Sequence, residues 1–335
     1  MANLERFIIL PALAALIIVL YVPGVTSGAA RETAKQPGPL IDRAIMSGAY
    51  PYGPKDTLIG MPETHTIKKD ESLIELAPEF DVGYNEIADA NPAVDPWVPD
   101  KGTIVNIPTF RVLPNAPRRG IVINLAEMRL YFYFSKLHLV ISYPIGIGMQ
   151  GFSTPVGVFR ISQKIRNPAW HVPPSIREQD PELPRIMPPG ADNPMGRFAM
   201  RLSLPAYLIH GTNRPFCVGL RASHGCIRLY NRDIRRLFHL VRENTPVTIV
   251  YQPVKVGVRS GVVYIEAHRD YLHRGGNPMD VVGSRLEGRH DFHAIDMKKI
   301  GLALKERTGM PVAISTSPKS TPGLHAPVVH SWRGL

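Results

Sequence analysis

The sequence predicts an α+β multidomain protein whose central part is a mostly antiparallel β-sandwich. Residues 120–251 alternate apolar and polar side chains over several short stretches, which is typical of half-buried strands. Residues 63–108 change from a period of 2 to 3.6 and back, which predicts a small strand–helix–helix–strand domain in front. The chain also contains 33 prolines in 335 residues, which favours strands and loops over long helices.

The first thirty residues have the layout of a secretory signal peptide. After Arg6, an uncharged run begins at Phe7, and small residues follow over Ser27–Ala30. The run is shorter than the roughly 20 residues of a membrane span, which favours cleavage over an uncleaved anchor helix. We therefore expect a signal peptide at 1–29, followed by a Gly/Pro-rich linker or arm at 30–62.

The small domain that follows is predicted to span residues 63–109. Its strands are expected at Thr64–Ile67 and Thr103–Ile107. Its helices are expected at Ser72–Phe80 and Tyr84–Ala90. A unit of this size has only a modest core of its own.

The central domain is predicted to span residues 119–252. Its expected strands are Ile121–Asn124, Met128–Phe134, Leu137–Ile145, Gly157–Ile165, Ala206–His210 and Val247–Tyr251. Only Arg232–Arg242 has clear helical spacing, with its apolar residues on one face. A sheet with loops along one rim suits a shallow site for a polymeric substrate.

The C-terminal region is predicted to form a small accessory subdomain at 253–315. A strand pair is expected at Val254–Arg259 and Val262–His268, followed by a helix at Ala294–Arg307. The proline-rich segment 316–335 is expected to be disordered. This region offers no group of catalytic residues.

The net charge of +11 comes from basic residues that are scattered along the chain. Nucleic acid is a poor partner for an exported protein, so an anionic wall or membrane surface is the better interpretation of the charge. Scattered charge also serves simple solubility. A membrane contact is expected only through an uncleaved signal segment.

The chemistry is expected at two short segments that contain histidine and cysteine. One is Tyr207-Leu208-Ile209-His210-Gly211-Thr212-Asn213, and the other is Ser223-His224-Gly225-Cys226-Ile227-Arg228-Leu229. Cys226 is a candidate nucleophile, and either His210 or His224 is close enough in sequence to serve as its base. Gly225 allows a substrate carbonyl to approach the backbone N–H groups around it. Arg228 would lie on the same side of a strand as Cys226, where it lowers the thiol pKa or holds a carboxylate.

Each of these residues also has an ordinary structural explanation. A lone histidine at the end of an apolar strand is often a satisfied rim residue, and a free cysteine is usually a small buried hydrophobe. Zinc remains an alternative, because His210, Cys217, His224 and Cys226 are four possible donors, although the paired spacing of zinc sites is absent. Cys217 and Cys226 could also form a local bridge, but we expect Cys217 to be a bystander thiol.

Taken together, the two segments resemble the signature of the YkuD-type L,D-transpeptidase domain. The resemblance extends upstream to Met128-Arg129-Leu130-Tyr131, Tyr143-Pro144-Ile145-Gly146-Ile147-Gly148, Thr154-Pro155-Val156-Gly157 and Asn193-Pro194-Met195-Gly196. The unit at 63–109 contains His65-Thr66-Ile67-Lys68-Lys69-Asp70-Glu71-Ser72-Leu73, Ile87-Ala88-Asp89-Ala90-Asn91-Pro92 and Gly102-Thr103-Ile104-Val105-Asn106-Ile107-Pro108. These segments are similar to a LysM module, a family that binds N-acetylglucosamine-containing glycans such as peptidoglycan. The domain order resembles Gram-negative periplasmic enzymes that attach the major outer-membrane lipoprotein to peptidoglycan.

The resemblance implies Cys226 as the nucleophile and His210 as the general acid/base, oriented by a backbone carbonyl near Gly211. It implies His224 as a second site histidine, with Ser223 and Gly225 in the supporting turn and Arg228 as a substrate or thiolate contact. The implied reaction releases the terminal D-alanine of a tetrapeptide stem through a thioester and passes the acyl group to an amine. No metal or cofactor is required, and the expected location is the periplasm.

The acceptor amine is left open by the sequence. A lysine of an outer-membrane lipoprotein is favoured by the domain order, by analogy alone. A neighbouring stem would give 3–3 cross-links instead, and water would make the protein a peptidase. A different class of function is a non-catalytic wall-binding protein in which the LysM-like unit does the binding.

Overall fold

A computed structural model describes residues 48–53, 57–287 and 295–315 of the chain. The expected signal peptide at 1–29 and the expected disordered tail at 316–335 lie outside these residues. Within them, the architecture is mixed α and β and rich in strand, as the sequence predicts. No helix in this part of the chain is long and apolar enough to cross a membrane.

The elements are short and lie close to most of the predicted bounds. The helices are α1 (Leu73–Glu79), α2 (Tyr84–Asp89), α3 (Pro174–Gln179), α4 (Asn231–Leu240), α5 (Pro278–Leu286) and α6 (Met297–Glu306). The strands are β1 (Ala49–Pro51), β2 (Leu58–Ile59), β3 (Glu63–Thr66), β4 (Ile104–Ile107), β5 (Arg111–Val112), β6 (Gly120–Asn124), β7 (Arg129–Phe134), β8 (Leu139–Pro144), β9 (Ile147–Gly148), β10 (Gly157–Arg166), β11 (Trp170–His171), β12 (Ile186–Met187), β13 (Phe198–Leu202), β14 (Leu208–His210), β15 (Arg221–Ser223), β16 (Ile227–Arg228), β17 (Pro246–Val250), β18 (Val254–Arg259), β19 (Val262–Ala267) and β20 (Val312–Ala313).

The central domain is built on one curled sheet of nine strands, in the order β1-β8-β7-β6-β17-β10-β13-β14-β16. The mostly antiparallel strands that the sequence predicts thus belong to one continuous curled sheet, and the short pairs β9–β15 and β11–β12 form two further sheets. The long strand β10 pairs with β17 through its first half and with β13 through its second half. A register shift between Ile161 and Gln163 divides the halves, and such an irregularity bends a strand. Most pairs are antiparallel, as predicted, but β6–β17 and β14–β16 are parallel.

Helix α4 confirms the predicted amphipathic helix near residue 232. Its residues Ile234, Leu237 and Phe238 are buried in the main core, which also contains Met200 and Ile227 from the sheet. The apolar stripe of the helix is thus covered by the inner face of β13 and its neighbours. Because the helix covers one face of β13, β14 and β16, only the other face of these strands is accessible from outside the core.

The unit at 63–109 has the strand–helix–helix–strand order expected from its periodicity, with β3 paired to β4. Ser72 begins α1 with a capping box that it forms with Glu75. The unit is joined to the central domain by a buried carboxylate on α2. Glu86 accepts from Arg129 at 2.8 Å and from Arg111 at 3.0 Å, and all three side chains are almost fully buried.

Several parts of the chain differ from the sequence prediction, and helices α3 and α5 are among the elements that were not predicted. The described part of the segment 30–62 is not all linker, because β1 extends the edge of the main sheet beside β8 and β2 pairs with β5. Strand β13 was not predicted, since Phe198–Leu202 has neither the alternation nor the β-branched residues of a typical strand. It forms because β10 and β14 offer hydrogen bonds on both of its sides.

The C-terminal subdomain consists of the sheet β18-β19-β20 and the helices α5 and α6. A buried polar cluster joins it to the central domain. The Lys255 ammonium lies 2.7 Å from a carboxylate oxygen of both Glu127 and Glu266. His268 lies 2.6 Å from Glu266 on the other side.

Candidate active site

Strands β14 and β16 bring the two predicted segments together. They are parallel neighbours, with Ile209 beside Ile227 and His210 beside Arg228. Residues in register on adjacent strands direct their side chains to the same face, and the face alternates along each strand. Ile209 and Ile227 face the closed core, where neither is exposed. His210, Arg228 and, two residues earlier, Cys226 therefore share the other face.

The Cys226 thiol lies at the entrance to β16. Its Sγ donates to the Ala206 carbonyl oxygen at 3.8 Å. Burial raises the pKa of Cys226, while the Leu208 N–H and the charges of Arg228 and Arg201 act to lower it. Because burial is the largest of these effects, the resting group at neutral pH is the thiol, and a base is needed to make the nucleophilic thiolate.

His210 is held in an orientation that suits such a base. It is 3% exposed, and its Nδ1 lies 2.7 Å from the Gly211 carbonyl oxygen. A carbonyl only accepts, so Nδ1 carries the proton and Nε2 keeps its lone pair. Burial and the nearby Arg228 charge lower the pKa of His210 to about 4, against the opposing effect of the Gly211 and Met195 backbone. The ring is therefore neutral at neutral pH and can accept a proton at Nε2.

Gly211 is required at its position by close packing. A Cβ there would lie 2.3 Å from the Asn231 side-chain oxygen. That amide accepts from the Thr212 N–H at 3.1 Å and donates to the Thr212 carbonyl at 2.7 Å. Asn231 at the start of α4 thus fixes the backbone that orients His210.

The turn before the cysteine is held by its own polar groups. Ser223 Oγ accepts from the Gly225 N–H at 3.2 Å and donates to the Cys226 carbonyl at 2.6 Å. Thr154 Oγ1 donates to the Gly225 carbonyl at 2.9 Å. Gly225 has φ +99°, and a Cβ there would lie 2.7 Å from the Tyr207 ring. Only glycine fits this turn without strain.

His224 lies in the turn before Cys226 and is partly buried. Its ring packs edge-on against Phe152, with 4.4 Å between the ring centroids. Its Nε2 is buried without a hydrogen-bond partner. Burial, followed by the Arg228 charge, lowers the pKa of His224. This ring is thus also neutral at neutral pH.

The two arginines nearest the thiol have no acidic partner in the described part of the chain. Arg228 donates from Nη1 to the Ala222 carbonyl at 3.1 Å. Arg201 donates to the Pro205 carbonyl at 2.7 Å and to the Gln163 amide at 3.3 Å. Neither forms an ion pair with any of the described residues. The face with Cys226 is consequently electropositive.

The zinc alternative is not supported by the arrangement of its four donors. Among the described residues, the group close enough to share an ion is Glu127, Glu266 and His268, and the Lys255 ammonium already lies within it. His210, Cys217, His224 and Cys226 do not converge in this way. Cys217 and Cys226 are both free thiols, so the alternative of a local bridge is wrong for this structure.

Sequence reasoning missed Asn231 and Arg201, and it included Tyr207 in the His210 segment without giving it a role. Asn231 lies at the start of the predicted helix, where a polar residue usually caps the helix. That position was the signal in the sequence that could have identified it. Tyr207 covers the Gly225 turn, and Arg201 lies on the unpredicted strand β13. A cavity of about 210 Å³ lined by Tyr251, Lys255 and other residues lies elsewhere and includes neither Cys226 nor His210.

Comparison with known proteins identifies the family of the central residues. Residues 118–249 match the YkuD family, described as the L,D-transpeptidase catalytic domain. The relative named "Probable L,D-transpeptidase YcfS" of Escherichia coli K12 is 38% identical over 283 residues, which cover 80% of this chain and 88% of that protein. "Probable L,D-transpeptidase ErfK/SrfK" of the same strain is 37% identical, over 80% of this chain and 91% of that protein.

A solved structure, the NMR structure of the catalytic domain from the E. faecium L,D-transpeptidase, aligns with 41% of this chain and 99% of that chain. Its sequence identity is 22% and its TM-score is 0.32. The sequence relatives, in contrast, match over most of both chains and extend well beyond residues 118–249. The chain is thus an enzyme that belongs to the L,D-transpeptidase family.

Proposed function

We propose that this enzyme acts on peptidoglycan tetrapeptide stems with Cys226 as its nucleophile and His210 as its general acid/base. The observation that carries the proposal is the 2.7 Å contact between His210 Nδ1 and the Gly211 carbonyl. It places the proton on Nδ1, so that Nε2 keeps its lone pair on the face that also carries Cys226. A neutral imidazole beside a protonated thiol is a suitable starting state for general-base activation.

The first half-reaction forms a thioester. His210 Nε2 takes the thiol proton, and Cys226 Sγ attacks the carbonyl of the third stem residue. The bond to the terminal D-alanine then breaks, and the imidazolium returns the proton to the departing amine. Gly225 N–H is already committed to Ser223, so the Cys226 N–H is the candidate oxyanion donor of this turn.

The second half-reaction transfers the acyl group. An amine attacks the thioester, His210 accepts the amine proton, and the Cys226 thiolate leaves and is reprotonated. We infer that the acceptor is a lysine of an outer-membrane lipoprotein and that the reaction takes place in the periplasm. The signal-peptide layout of residues 1–29 and the order of the domains support this inference.

We infer that the LysM-like unit at 63–109 binds the glycan strands. Trp97 is 68% exposed, and Val98 next to it is also exposed. An exposed aromatic ring offers an apolar face to a sugar ring. Because Glu86 anchors the unit firmly to Arg129, a bound glycan would be held at a fixed position relative to Cys226.

The test is mass spectrometry of muropeptides after the protein lacking residues 1–29 is incubated with sacculi and a lysine-containing lipoprotein peptide. Wild type and Cys217→Ala should release D-alanine and attach the peptide. Cys226→Ala should do neither, since it lacks the nucleophile. Attachment by Cys226→Ala would overturn the assignment of the nucleophile.

The product also tests the acceptor. A peptide attached through its lysine supports the lipoprotein acceptor. Stem-to-stem 3–3 dimers without peptide attachment would replace that acceptor by a neighbouring stem, and simple loss of D-alanine would replace it by water. Binding to sacculi with unchanged muropeptides would favour the wall-binding protein. Trp97→Ala should weaken sacculus binding, and unchanged binding would contradict the role of the module.

A further inference from the structure

Arg201 on β13 and Cys226 just before β16 lie at matching register positions on either side of β14. Arg201 is in register with Leu208 across β13 and β14. Leu208 comes one residue before Ile209, which pairs with Ile227, so Leu208 lies beside Cys226. Partners in register share a face, and the side chains of Arg201, Leu208 and Cys226 therefore point to the same side.

The adjacent residues of these three strands define the opposite side. Met200, Ile209 and Ile227 are all fully buried in the main core beneath α4. The face that carries Arg201 and Cys226 is consequently the one from which a substrate can approach. Arg201 is only partly buried on this face.

The guanidinium of Arg201 is supported by neutral groups. Its Nη1 donates to the Pro205 carbonyl at 2.7 Å, and its Nε donates to the Gln163 amide oxygen at 3.3 Å. The described residues contain no carboxylate that forms an ion pair with it. A guanidinium has five N–H donors in a rigid fork, so these two contacts leave donors for a planar anion.

The charge of Arg201 acts on the Cys226 thiol. Arg201 and Arg228 are the two cations that lower the pKa of Cys226, and Arg228 also lowers the pKa of His210. None of the charges that act on either group is a carboxylate. The field on this face therefore favours an anion near the thiol.

We propose that Arg201 binds a carboxylate of the donor stem peptide and so determines which donors the enzyme accepts. The proposal rests on the proposed function, because it assumes that the donor is a peptide with a free terminal carboxylate. Two backbone spacings of about 4.8 Å separate β13 from β16, and a donor chain lying across β14 would bridge them. Arg201 is then a specificity residue, distinct from the pair formed by Cys226 and His210.

A structural role of Arg201 predicts a different result. Through Pro205 the side chain also supports the segment that includes Ala206, whose carbonyl accepts from Cys226 Sγ. Loss of that support would slow the reaction of every donor by the same factor. Loss of a carboxylate contact would slow only donors that have the carboxylate.

The experiment compares donors that differ in one carboxylate. Soluble tetrapeptide donors, amidated at one carboxylate at a time, are assayed for kcat/KM with wild type, Arg201→Gln and Arg235→Gln. Arg235 is an exposed arginine on α4, behind the closed face of the sheet, and its substitution removes the same charge elsewhere. Wild type and Arg235→Gln should lose roughly ten-fold or more when the contacted carboxylate is amidated.

The result expected for Arg201→Gln is that this penalty disappears. Its kcat/KM on the free donor should equal its value on that amidated donor within about two-fold, because the guanidinium that contacts this carboxylate has been removed. The carboxylate that Arg201 binds is the one whose amidation slows wild type but not Arg201→Gln. An Arg201→Gln enzyme that retains the full penalty for every amide would overturn the proposal while leaving the Cys226 chemistry intact. No release of D-alanine by wild type would instead reject the proposed function itself.

Discussion

The arginines beside Glu86 and the arginines beside Cys226 differ in what neutralises them. Arg129 and Arg111 share one buried carboxylate at 2.8 and 3.0 Å. Arg201 and Arg228 donate to backbone carbonyls and to one amide, and no described carboxylate pairs with either. One charged cluster is closed within the protein, and the other is left open to a ligand.

The difference distinguishes arginines whose charge stabilises the fold from arginines whose charge acts on the thiol or on a ligand. Removing one partner of a buried ion pair leaves an uncompensated charge in a poorly solvated place, so a closed cluster holds domains together. An open cluster contributes a positive potential that attracts anions and favours the thiolate. Substitutions in the first cluster should therefore change stability, and substitutions in the second should change reactivity.

Glu86→Ala should give the largest loss of stability, because two buried guanidinium groups lose the carboxylate that they share. We expect the free energy of unfolding to fall by about 3–5 kcal/mol, measured from urea unfolding midpoints. The control is Asp81→Asn, which removes an exposed partner of Arg232 and should cost less than about 1 kcal/mol. Equal losses from the two substitutions would show that the Glu86 cluster does not join the domains.

In a Cys217→Ala background, where Cys226 is the only thiol, Arg129→Met should change stability and Arg228→Met should change thiol reactivity. Arg129→Met should lower the free energy of unfolding by about 3 kcal/mol and leave thiol reactivity unchanged, because Arg129 does not act on the thiol. Arg228→Met should cost about 1 kcal/mol or less, yet raise the pKa of Cys226.

Thiol reactivity is measured as the rate of iodoacetamide alkylation against pH. The midpoint for Arg228→Met should lie at higher pH than that for wild type, and the midpoint for Arg129→Met should coincide with wild type. If both variants shifted the midpoint equally, the distinction between the closed and open clusters would be lost.

The smallest expected effect is on stability in acid. Burial lowers the pKa of His210 from 6.5 to about 4, so its contribution to stability is present above about pH 6.5 and is lost as the pH falls towards 4. Burial raises the pKa of Asp233 to about 7, so this carboxyl acts in the opposite direction over the same range. A comparison of wild type with His210→Asn isolates the histidine.

The free energy of unfolding of wild type should fall more steeply between pH 6.5 and 4 than that of His210→Asn. Arg228→Met should be intermediate, because one cause of the lowered pKa of His210 is removed. Parallel curves for all three proteins, measured by urea unfolding at each pH, would contradict the neutral, buried state of His210.

The elements most accessible to sequence reasoning were those with strong local signals. The helix near Ile234 and the hairpin of β6 and β7 have clear periodicity, and both are present. Strand β13 has a weak local signal and depends on β10 and β14 for its hydrogen bonds. The curl of the sheet depends on β10 pairing with different strands along its length, which no local pattern records.

The sequence by itself determined the family resemblance and the candidates Cys226 and His210, because these residues lie in short segments with a characteristic order. The tertiary structure decided how they are placed. Parallel pairing of β14 and β16 puts both on one open face, and the Gly211 carbonyl selects the tautomer of His210. Only the fold places Arg201 on the same face as Cys226, with no carboxylate of the described residues paired to it, since these properties depend on residues distant in sequence.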